Sequence, residues 1–168
     1  MSFFSREKGM NIFVLSLDPR ECAEWHVDRH VVKMILEYCQ LLCTAHWVLD
    51  PDDSHDSLYR KTHVNHPCAK WVRESIKNYM WLVRLLECLL DEYTFRYGKT
   101  HASSRLLDTL RIPPDNIPLR PMTPFALAMG DEYKVGNALE SYREYYRHGK
   151  IHLHSWKKRT QPKFISVC

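Results

Sequence analysis

A stripe of polar residues at helical spacing is the strongest chemical signal in this sequence. Its members follow one another at intervals of four, three, four, three and four residues, which places them on one face of a helix: His26, His30, Lys33, Glu37, Gln40 and Thr44. The other positions between Val31 and Ala45 are apolar, a pattern that predicts a central rather than a peripheral helix. Because a lysine and a glutamate are costly to bury without partners, the stripe is expected to line a cleft. A narrow solvent seam or a structural network is the alternative.

Two groups of residues have the chemistry for catalysis. Within the stripe, His30 and Glu37 are suited to proton transfer, and Lys33 is suited to nucleophilic attack or to anchoring an anion. The second group is His63-Val64-Asn65-His66-Pro67 at the start of a further helix, where backbone N–H groups favour a phosphate. There His66 is a candidate acid or base, although Asn65 or His66 could simply cap the helix. The predicted catalytic residues are His30, Lys33, Glu37 and His66.

Cations and aromatic residues are interleaved near the end of the chain and around Gly98. The segment from Arg143 to Cys168 contains seven Lys or Arg residues and one acid, Glu144. Such a mixture suits phosphate contacts and base stacking, whereas a solvated tail with packing tyrosines is the alternative. The predicted substrate- or phosphate-binding residues are His26, Asn65, Arg96, Lys99, His101, Arg143, Tyr146, Lys150, Trp156, Lys158 and Arg159.

A metal site is an alternative use of the histidines. His26 and His30 have the i,i+4 spacing of two helical ligands, but Val27 stands where a zinc-protease motif has glutamate. A third ligand would come from His66, His101 or Glu37. We therefore expect no cofactor, with a divalent metal at His26, His30 and His66 as the alternative. With only five glycines and no glycine-rich loop, a P-loop or Rossmann unit is excluded.

The elements that must position these residues are helices, and the fold class is predicted to be all-α. A capping acid followed by proline at Asp18-Pro19 predicts a helix that runs to about Val48. Further helices are predicted from Pro67 to Tyr97, over 102–110, and after Asn137 to about His148. We expect a compact single-domain bundle with two long central helices, a short extended segment at 10–17 and a stiff proline-rich loop at 113–124.

Length and composition are consistent with one such domain. The chain has 168 residues and a formal net charge of +4, which fits a helical domain over 10–168 after a mobile leader at 1–9. No apolar run approaches the ~18 residues that a membrane span needs, and no secretory signal is apparent. Six cysteines without a CxxC pair indicate a reducing compartment. The expected location is the cytoplasm, or the host cell interior if the protein is viral; the oligomeric state stays open.

Several stretches resemble a family of small, largely uncharacterised proteins found chiefly in tailed phages and large DNA viruses. The resemblance spans about residues 10–165 and rests on the motifs His26-x-x-x-His30-Val31-Val32-Lys33-Met34 and Asn65-His66-Pro67, with further matches at 92–101, 122–125 and 142–146. The helical layout also resembles that of phage pyrimidine-dimer DNA glycosylases. This second resemblance implies attack on the sugar C1′ by an N-terminal amine, aided by a glutamate in the first long helix. Here a polar leader follows Met1, so Lys33 and Glu37 offer the comparable amine and carboxylate.

Three functions remain to be distinguished. The favoured one is a small enzyme that acts on a nucleic acid or nucleotide by glycosylase-like base excision or base modification. In it, His30 and Glu37 transfer protons, Lys33 attacks or anchors, and His66 holds a phosphate. The second is a metal-assisted phosphohydrolase or nucleotide-processing enzyme built on the histidines. The third is a non-catalytic protein that binds nucleic acid or a phosphorylated small molecule.

Overall fold

The computed structural model describes residues 10–166, and the regular secondary structure in this range is helical, which confirms the all-α prediction. Within this range there are six α-helices and no β-strand. Only one or two residues separate the first helix from the second and the third from the fourth, whereas loops and 3-10 turns join the others. The helices are α1 (Pro19–Trp25), α2 (Asp28–Leu49), α3 (Pro67–Glu74), α4 (Ile76–Tyr97), α5 (Leu107–Leu110) and α6 (Ala138–Glu144). The predicted leader at 1–9 lies outside the described residues.

The prediction of one helix from Pro19 to Val48 is wrong, because the chain is extended at His26 and Val27. The start is as expected, since the Asp18 side chain accepts a hydrogen bond from the Arg20 N–H and caps α1. The break is stabilised because its main-chain groups form hydrogen bonds with residues outside α1 and α2. The buried Arg96 guanidinium donates to the His26 carbonyl at 2.8 Å, and the Val27 N–H donates to the Tyr146 hydroxyl at 3.2 Å.

The second predicted helix, from Pro67 to Tyr97, is likewise divided, at Ser75. The Ser75 hydroxyl accepts from the N–H groups of Lys77 and Asn78 and donates to the Arg120 carbonyl at 2.9 Å. A serine that caps the following helix competes with continued helix. The predicted stop at Gly98 is correct, since this residue has φ of 68°, a conformation that glycine adopts without strain.

The core is built around α2 and α4, as their apolar patterns predicted, but α2 keeps an exposed face at Arg29, Val32, Lys33 and Leu36. Buried residues occur on most sides of α2, from Val31 to Ala45, so this helix is central. The segment 10–15 is also buried but irregular, and it packs beside α2 without forming a strand. The five cysteines in the described part of the chain are free and buried. None of the helices within 10–166 is long and apolar enough to cross a membrane.

The last helix changes its winding as it approaches the C-terminal segment. Asn137 caps α6 by accepting from the Glu140 N–H, as the sequence predicted. After Glu144 the chain continues as a π-helical turn, Tyr145–Gly149, in which the Lys150 N–H donates to the Tyr145 carbonyl at 3.1 Å. Because a π turn contains more residues than an α turn, it shifts the direction of the side chains that follow it. The proline-rich stretch 113–124 is irregular, as expected.

Candidate active site

One pocket brings together all four residues that the sequence singled out for catalysis. This cavity, called here the α2 pocket, has a volume of about 460 Å³ and is lined by His30, Lys33, Glu37 and His66. Residues of the segment 10–13, of 128–131, and the pair Tyr145 and Lys150 complete its wall. The volume lies within the range of about 300–1,000 Å³ that is usual for sites that bind small molecules.

The carboxyl group of Glu37 is the acidic centre of this pocket. Its side chain is 13% exposed, and the Lys33 Nζ lies 3.7 Å from Glu37 Oε1, one helical turn away. Burial raises the pKa of Glu37, and the positive charges of Lys33 and Lys150 oppose that rise without cancelling it. A carboxyl group with a raised pKa can hold a proton closer to neutral pH and release it to a substrate.

His30 forms a neutral part of the same wall. Its Nδ1 lies 2.7 Å from the Tyr146 hydroxyl, and its ring stacks on Phe13 with centroids 4.2 Å apart. Burial, assisted by the nearby charges of His26 and Lys150, lowers the pKa of His30 to about 2. The ring is therefore uncharged near neutral pH and has no extra proton to give, so the acid chemistry of the pocket rests on Glu37.

We expect the buried histidines to make the protein sensitive to mild acid. Burial also lowers the pKa of His26 to about 4, so both folded-state values lie below the ~6.5 of an unfolded histidine. The unfolded chain then binds more protons below that pH, and the free energy of unfolding decreases as the pH falls. Each histidine removes up to about 1.4 kcal/mol per pH unit. Urea unfolding at about pH 7 and about pH 5.5 measures this loss.

The contribution of one histidine can be isolated with a matched pair of variants. His30→Asn removes one buried imidazole and should reduce the loss between the two pH values, whereas the same change at the exposed His152 should leave it unaltered. An unchanged pH dependence in His30→Asn would show that protonation of His30 does not oppose folding.

His66 combines the two roles that the sequence left open. It lines the α2 pocket, and it also caps α3, because its Nδ1 accepts a hydrogen bond from the Cys68 N–H at 3.1 Å. This helix start is a weak phosphate seat, since Pro67 has no N–H and the N–H of Cys68 is already used. Asn65 is exposed and does not line the pocket.

Aromatic rings and a lysine form a further part of the pocket wall. Phe13 and Tyr145 both line the pocket, and Tyr145 also stacks on Tyr133 with centroids 4.9 Å apart. The Lys150 Nζ lies 5.0 Å from the centroid of the Tyr145 ring and 5.9 Å from that of Phe13. Rings and cations in one cavity are suited to holding a planar base next to a phosphate.

Two residues that the sequence placed beside this site are buried elsewhere. The His26 Nδ1–H donates to the Cys22 carbonyl at 2.6 Å, and its Nε2 lies 2.8 Å from the Tyr38 hydroxyl, so both ring nitrogens are occupied. The guanidinium of Arg96 is fully buried and binds Glu92, Asp28 and two main-chain carbonyls. Neither side chain lines the α2 pocket; both hold the junction between α1 and α2.

The basic C-terminal segment is largely tied to the body of the protein. Arg143 donates to the Leu15 carbonyl and packs over the rings of Trp25 and Phe164, and Arg159 binds both oxygens of Glu92. Trp156 and Tyr146 also point inward, onto the Trp25 carbonyl and onto His30. Of the predicted binding residues on this segment, the structure places Lys150 in the pocket and leaves Lys158 on the surface.

Two further predicted binding residues, Lys99 and His101, follow α4 and lie outside the pocket. Lys99 is exposed, while His101 accepts the Ser103 N–H at 3.0 Å and packs against Tyr93. A helix-end cluster of this kind looks like a binding site in the sequence because capping and binding use the same residue types.

The histidines named as metal ligands do not converge. Among the described residues, the one group of three potential ligands with all donor atoms within 4.8 Å of one another is Asp50, Asp53 and Asp115. The nitrogens of His26, His30 and His66 do not meet this criterion, and both nitrogens of His26 have protein partners. The geometry therefore does not support a site built on these three histidines.

Sequence reasoning missed the part of the pocket that comes from distant segments. Asn11, Phe13, Asp131 and Tyr145 line it, although no local pattern distinguishes them from packing or loop residues. The Asn11 amide donates to the Ala128 carbonyl at 2.8 Å and so joins two of these segments. A sequence signal that could have pointed to the pocket is the mostly apolar run at 10–15, which is expected to pack against a central helix.

The comparison with known families bears on the same region of the chain. The model of a family described as pyrimidine dimer DNA glycosylase matches residues 10–105, more than half of the sequence. This range includes the first pocket-lining segment and all of α1 to α4, whereas Tyr145 and Lys150 lie beyond it. No curated protein and no solved structure matches the chain.

Proposed function

We propose, since this chain belongs to the pyrimidine dimer DNA glycosylase family, that it cleaves the N-glycosidic bond of a damaged pyrimidine in DNA and uses the α2 pocket as its active site. The observation that carries this proposal is the position of Glu37. Its largely buried carboxyl group, with a raised pKa, shares one cavity with two lysines and two aromatic rings. This arrangement provides an acid, an amine and a stacking surface within reach of one nucleoside.

In this reaction Glu37 acts as the general acid. Departure of a pyrimidine leaves negative charge on the base, and a proton delivered to that base lowers the barrier. After the transfer, the carboxylate is stabilised by the Lys33 ammonium on the preceding turn of α2, 3.7 Å away. It can also stabilise positive charge that develops on the sugar as the bond lengthens.

Lys33 serves as the anion anchor rather than as the amine that attacks. Its side chain is 59% exposed and reaches the mouth of the pocket, where a DNA phosphate would pass. Arg29 lies one turn earlier on α2 and is also exposed. Two cations on one exposed helix face can bind successive phosphates, and such contacts position the nucleic acid without reading its sequence. His66, at the start of α3, lines the same cavity and can contact the bound nucleotide.

The damaged nucleotide must leave the helical stack to reach Glu37. Enzymes that act on a base inside a duplex extrude it into a pocket, and damaged bases are the least costly to unstack. The rings of Phe13 and Tyr145 offer the extruded base an aromatic wall, and neutral His30 backs the Phe13 ring. The proposed substrate is DNA rather than a free phosphorylated molecule, in line with the description of the matched family, and the proposed site of action is the interior of a cell. Exposed Lys99 and Lys158 are candidates for outer phosphate contacts.

The proposal is tested with a duplex oligonucleotide that carries one cyclobutane thymine dimer. Cleavage of the glycosidic bond leaves an abasic sugar, which breaks under alkali and is seen as a shortened strand on a gel. We expect alkali-labile sites in the dimer-containing duplex and none in the undamaged duplex of the same sequence. The reaction should proceed equally in EDTA. Absence of cleavage in both duplexes would contradict the proposed function, and loss of activity in EDTA would favour a metal-assisted reaction.

A further inference from the structure

A second cavity, called here the α4 groove, lies on one face of α4 and shares no lining residue with the α2 pocket. Its volume is about 520 Å³. Four of its residues are spaced on α4 so that they lie on the same side of the helix, and two come from the proline-rich stretch: Lys77, Met80, Trp81, Arg84, Pro121 and Met122. The reaction proposed above uses none of them.

The part of the proline-rich stretch beside this groove, residues 118–123, is called here the strap, and it is held firmly at both ends. At its start the Pro118 carbonyl accepts a hydrogen bond from the Ile76 N–H at 2.9 Å. At its end the Thr123 N–H donates to the Asn78 side-chain oxygen at 3.0 Å. Because proline also restricts φ, the strap has few accessible conformations. A ligand that binds here therefore meets a preformed surface and loses little free energy to ordering it.

The α4 groove exposes apolar side chains to water. Met122 is 40% exposed, and Leu119 on the same strap is 83% exposed. Met80 is half-buried, and the ring of Trp81 packs edge-to-face on Phe125 with centroids 4.9 Å apart. Methionine is flexible and polarisable, so two methionines in one groove can adapt to apolar groups of different shape. Exposed apolar surface with a polar rim is typical of an interaction site.

The charged residues that line the α4 groove are cations, the exposed Lys77 and Arg84, and the strap adds the exposed Arg120. Within residues 10–166, no acidic side chain forms an ion pair with any of these three. Glu74, at the end of α3, accepts from the Thr123 hydroxyl at 2.7 Å and does not line the groove. The surface beside the groove is therefore positive, which favours an acidic partner.

We propose that the α4 groove binds an acidic segment of another protein, which inserts one large apolar side chain into it. The methionines bury this anchoring side chain, and Lys77 and Arg84 pair with acids on either side of it. These two cations are one face and two turns apart on α4, about 10 Å along the helix axis, so one anchor fits between them. A DNA backbone would contact the cations, but its phosphates and sugars offer no large apolar group to fill the groove.

This inference goes beyond the proposed function and does not depend on it. Because the two cavities share no lining residue, a segment bound in the α4 groove leaves the lining of the α2 pocket free for its own ligand. The groove is thus suited to attaching the protein to a partner while the α2 pocket stays available.

Fluorescence anisotropy of labelled peptides tests the proposal on the whole chain. The probes are acidic peptides in which a run of aspartates stands on each side of a central phenylalanine, leucine or tryptophan. One control peptide has serine at the centre, and a second keeps phenylalanine but has lysines in place of the aspartates. We expect an acidic peptide with an apolar centre to bind with a dissociation constant below about 1 mM, and both controls to bind at least about tenfold more weakly.

Variants of the groove separate its apolar and its charged part. Met122→Ser removes an exposed apolar side chain and should weaken binding by roughly tenfold. The double variant Lys77→Glu and Arg84→Glu should weaken it at least as much, because acids then face acids. Ile112→Ser and Lys61→Glu make matching changes at exposed residues outside the groove and should have no effect. Circular dichroism checks the fold of each variant.

Photo-crosslinking locates the contact on the wild-type protein, so the test does not depend on how any variant folds. A benzophenone group at the centre of the acidic peptide should attach to residues 77–84 of α4 or to the strap. Mass mapping of the crosslinked protein identifies the segment.

Four results would overturn the inference. One is the failure of every acidic peptide to bind below about 1 mM, and another is equal binding of the peptide with serine at its centre. The third is crosslinking outside residues 77–84 and the strap, or unchanged binding in folded Met122→Ser and in the folded double variant. The fourth is an undamaged DNA duplex that binds more tightly than every peptide and loses this binding in the double variant, which would assign the surface to nucleic acid.

Discussion

Replacing Glu37 with Gln is expected to reduce cleavage of the dimer-containing duplex by roughly 10²- to 10⁴-fold, the usual contribution of a general acid or base. Glutamine has nearly the same shape and can still line the α2 pocket beside Lys33, but it has no acidic proton for the departing base. Single-turnover cleavage, followed by alkali treatment, measures the chemical step directly. Binding of the duplex should change little, since Lys33 and Arg29 remain.

The folded state of this variant should be at least as stable as that of the wild type. Burial of the charged carboxylate is costly, and this cost raises the pKa of Glu37. A neutral amide at position 37 does not carry that cost. The matched control is Glu140→Gln, which makes the same chemical change at an exposed residue of α6 outside the pocket. Full cleavage by Glu37→Gln, with Glu140→Gln also active, would remove Glu37 from the mechanism.

Replacing Arg96 with Met is expected to lower the free energy of unfolding by about 3–5 kcal/mol, the cost typical of breaking a buried ion pair. The guanidinium is buried, binds Glu92 at 2.8 Å and donates to the carbonyls of His26 and Glu24. Methionine fills a similar volume but leaves those carbonyls without partners at the end of α1. Urea unfolding, followed by the signal of the helices, gives the difference.

An exposed arginine provides the comparison for this variant. Arg20 pairs with Asp91 at 3.2 Å, and both side chains are more than half exposed; such pairs contribute about 0–1 kcal/mol. Arg20→Met should therefore have a small effect. If Arg96→Met costs no more than Arg20→Met, the buried network does not hold the junction between α1 and α2.

The pH dependence of stability near Arg96 follows from the same network. Burial by itself would raise the pKa of Glu92, but the hydrogen bonds from Arg159 and Arg96 outweigh it and lower that pKa. A carboxyl group with a depressed pKa stabilises the fold above its unfolded pKa, and this contribution is lost as the pH falls through the folded value. The acid sensitivity of Glu92 thus begins at lower pH than that of the buried histidines.

The polar stripe of α2 could be predicted because it is a local pattern. A helix with one narrow polar face and apolar residues elsewhere must be central, and its polar face must meet a cavity or polar partners. The structure places His30, Lys33 and Glu37 on the pocket wall accordingly, and Thr44 of the same stripe binds the main chain of Thr62 instead. Helix starts and stops at Asp18, Asn137 and Gly98 were also readable, because capping depends on the residue itself.

The helix breaks at His26 and at Ser75 could not be predicted from local sequence. Each requires a partner far along the chain, Arg96 and Tyr146 for the first and Arg120 for the second. Without those partners the main-chain groups at a break would be unsatisfied, and a continuous helix would be preferred. Several predicted binding residues are structural for a similar reason. Arg96, Arg143 and Arg159 bind groups of the protein itself, and local sequence does not reveal those partners.

By itself, then, the sequence determined the helical class of the protein, the face of α2 that carries chemistry and four of the residues in its pocket, since these depend on spacing and residue type. The tertiary structure decided which distant residues complete the pocket and which cations are available to a ligand. Phe13, Tyr145 and Lys150 reach the pocket from opposite ends of the chain, while most of the basic C-terminal residues are used to attach that segment to the helices. An arginine that binds DNA and one that binds a carbonyl look alike in a sequence, and they differ only in what the fold brings within hydrogen-bonding distance.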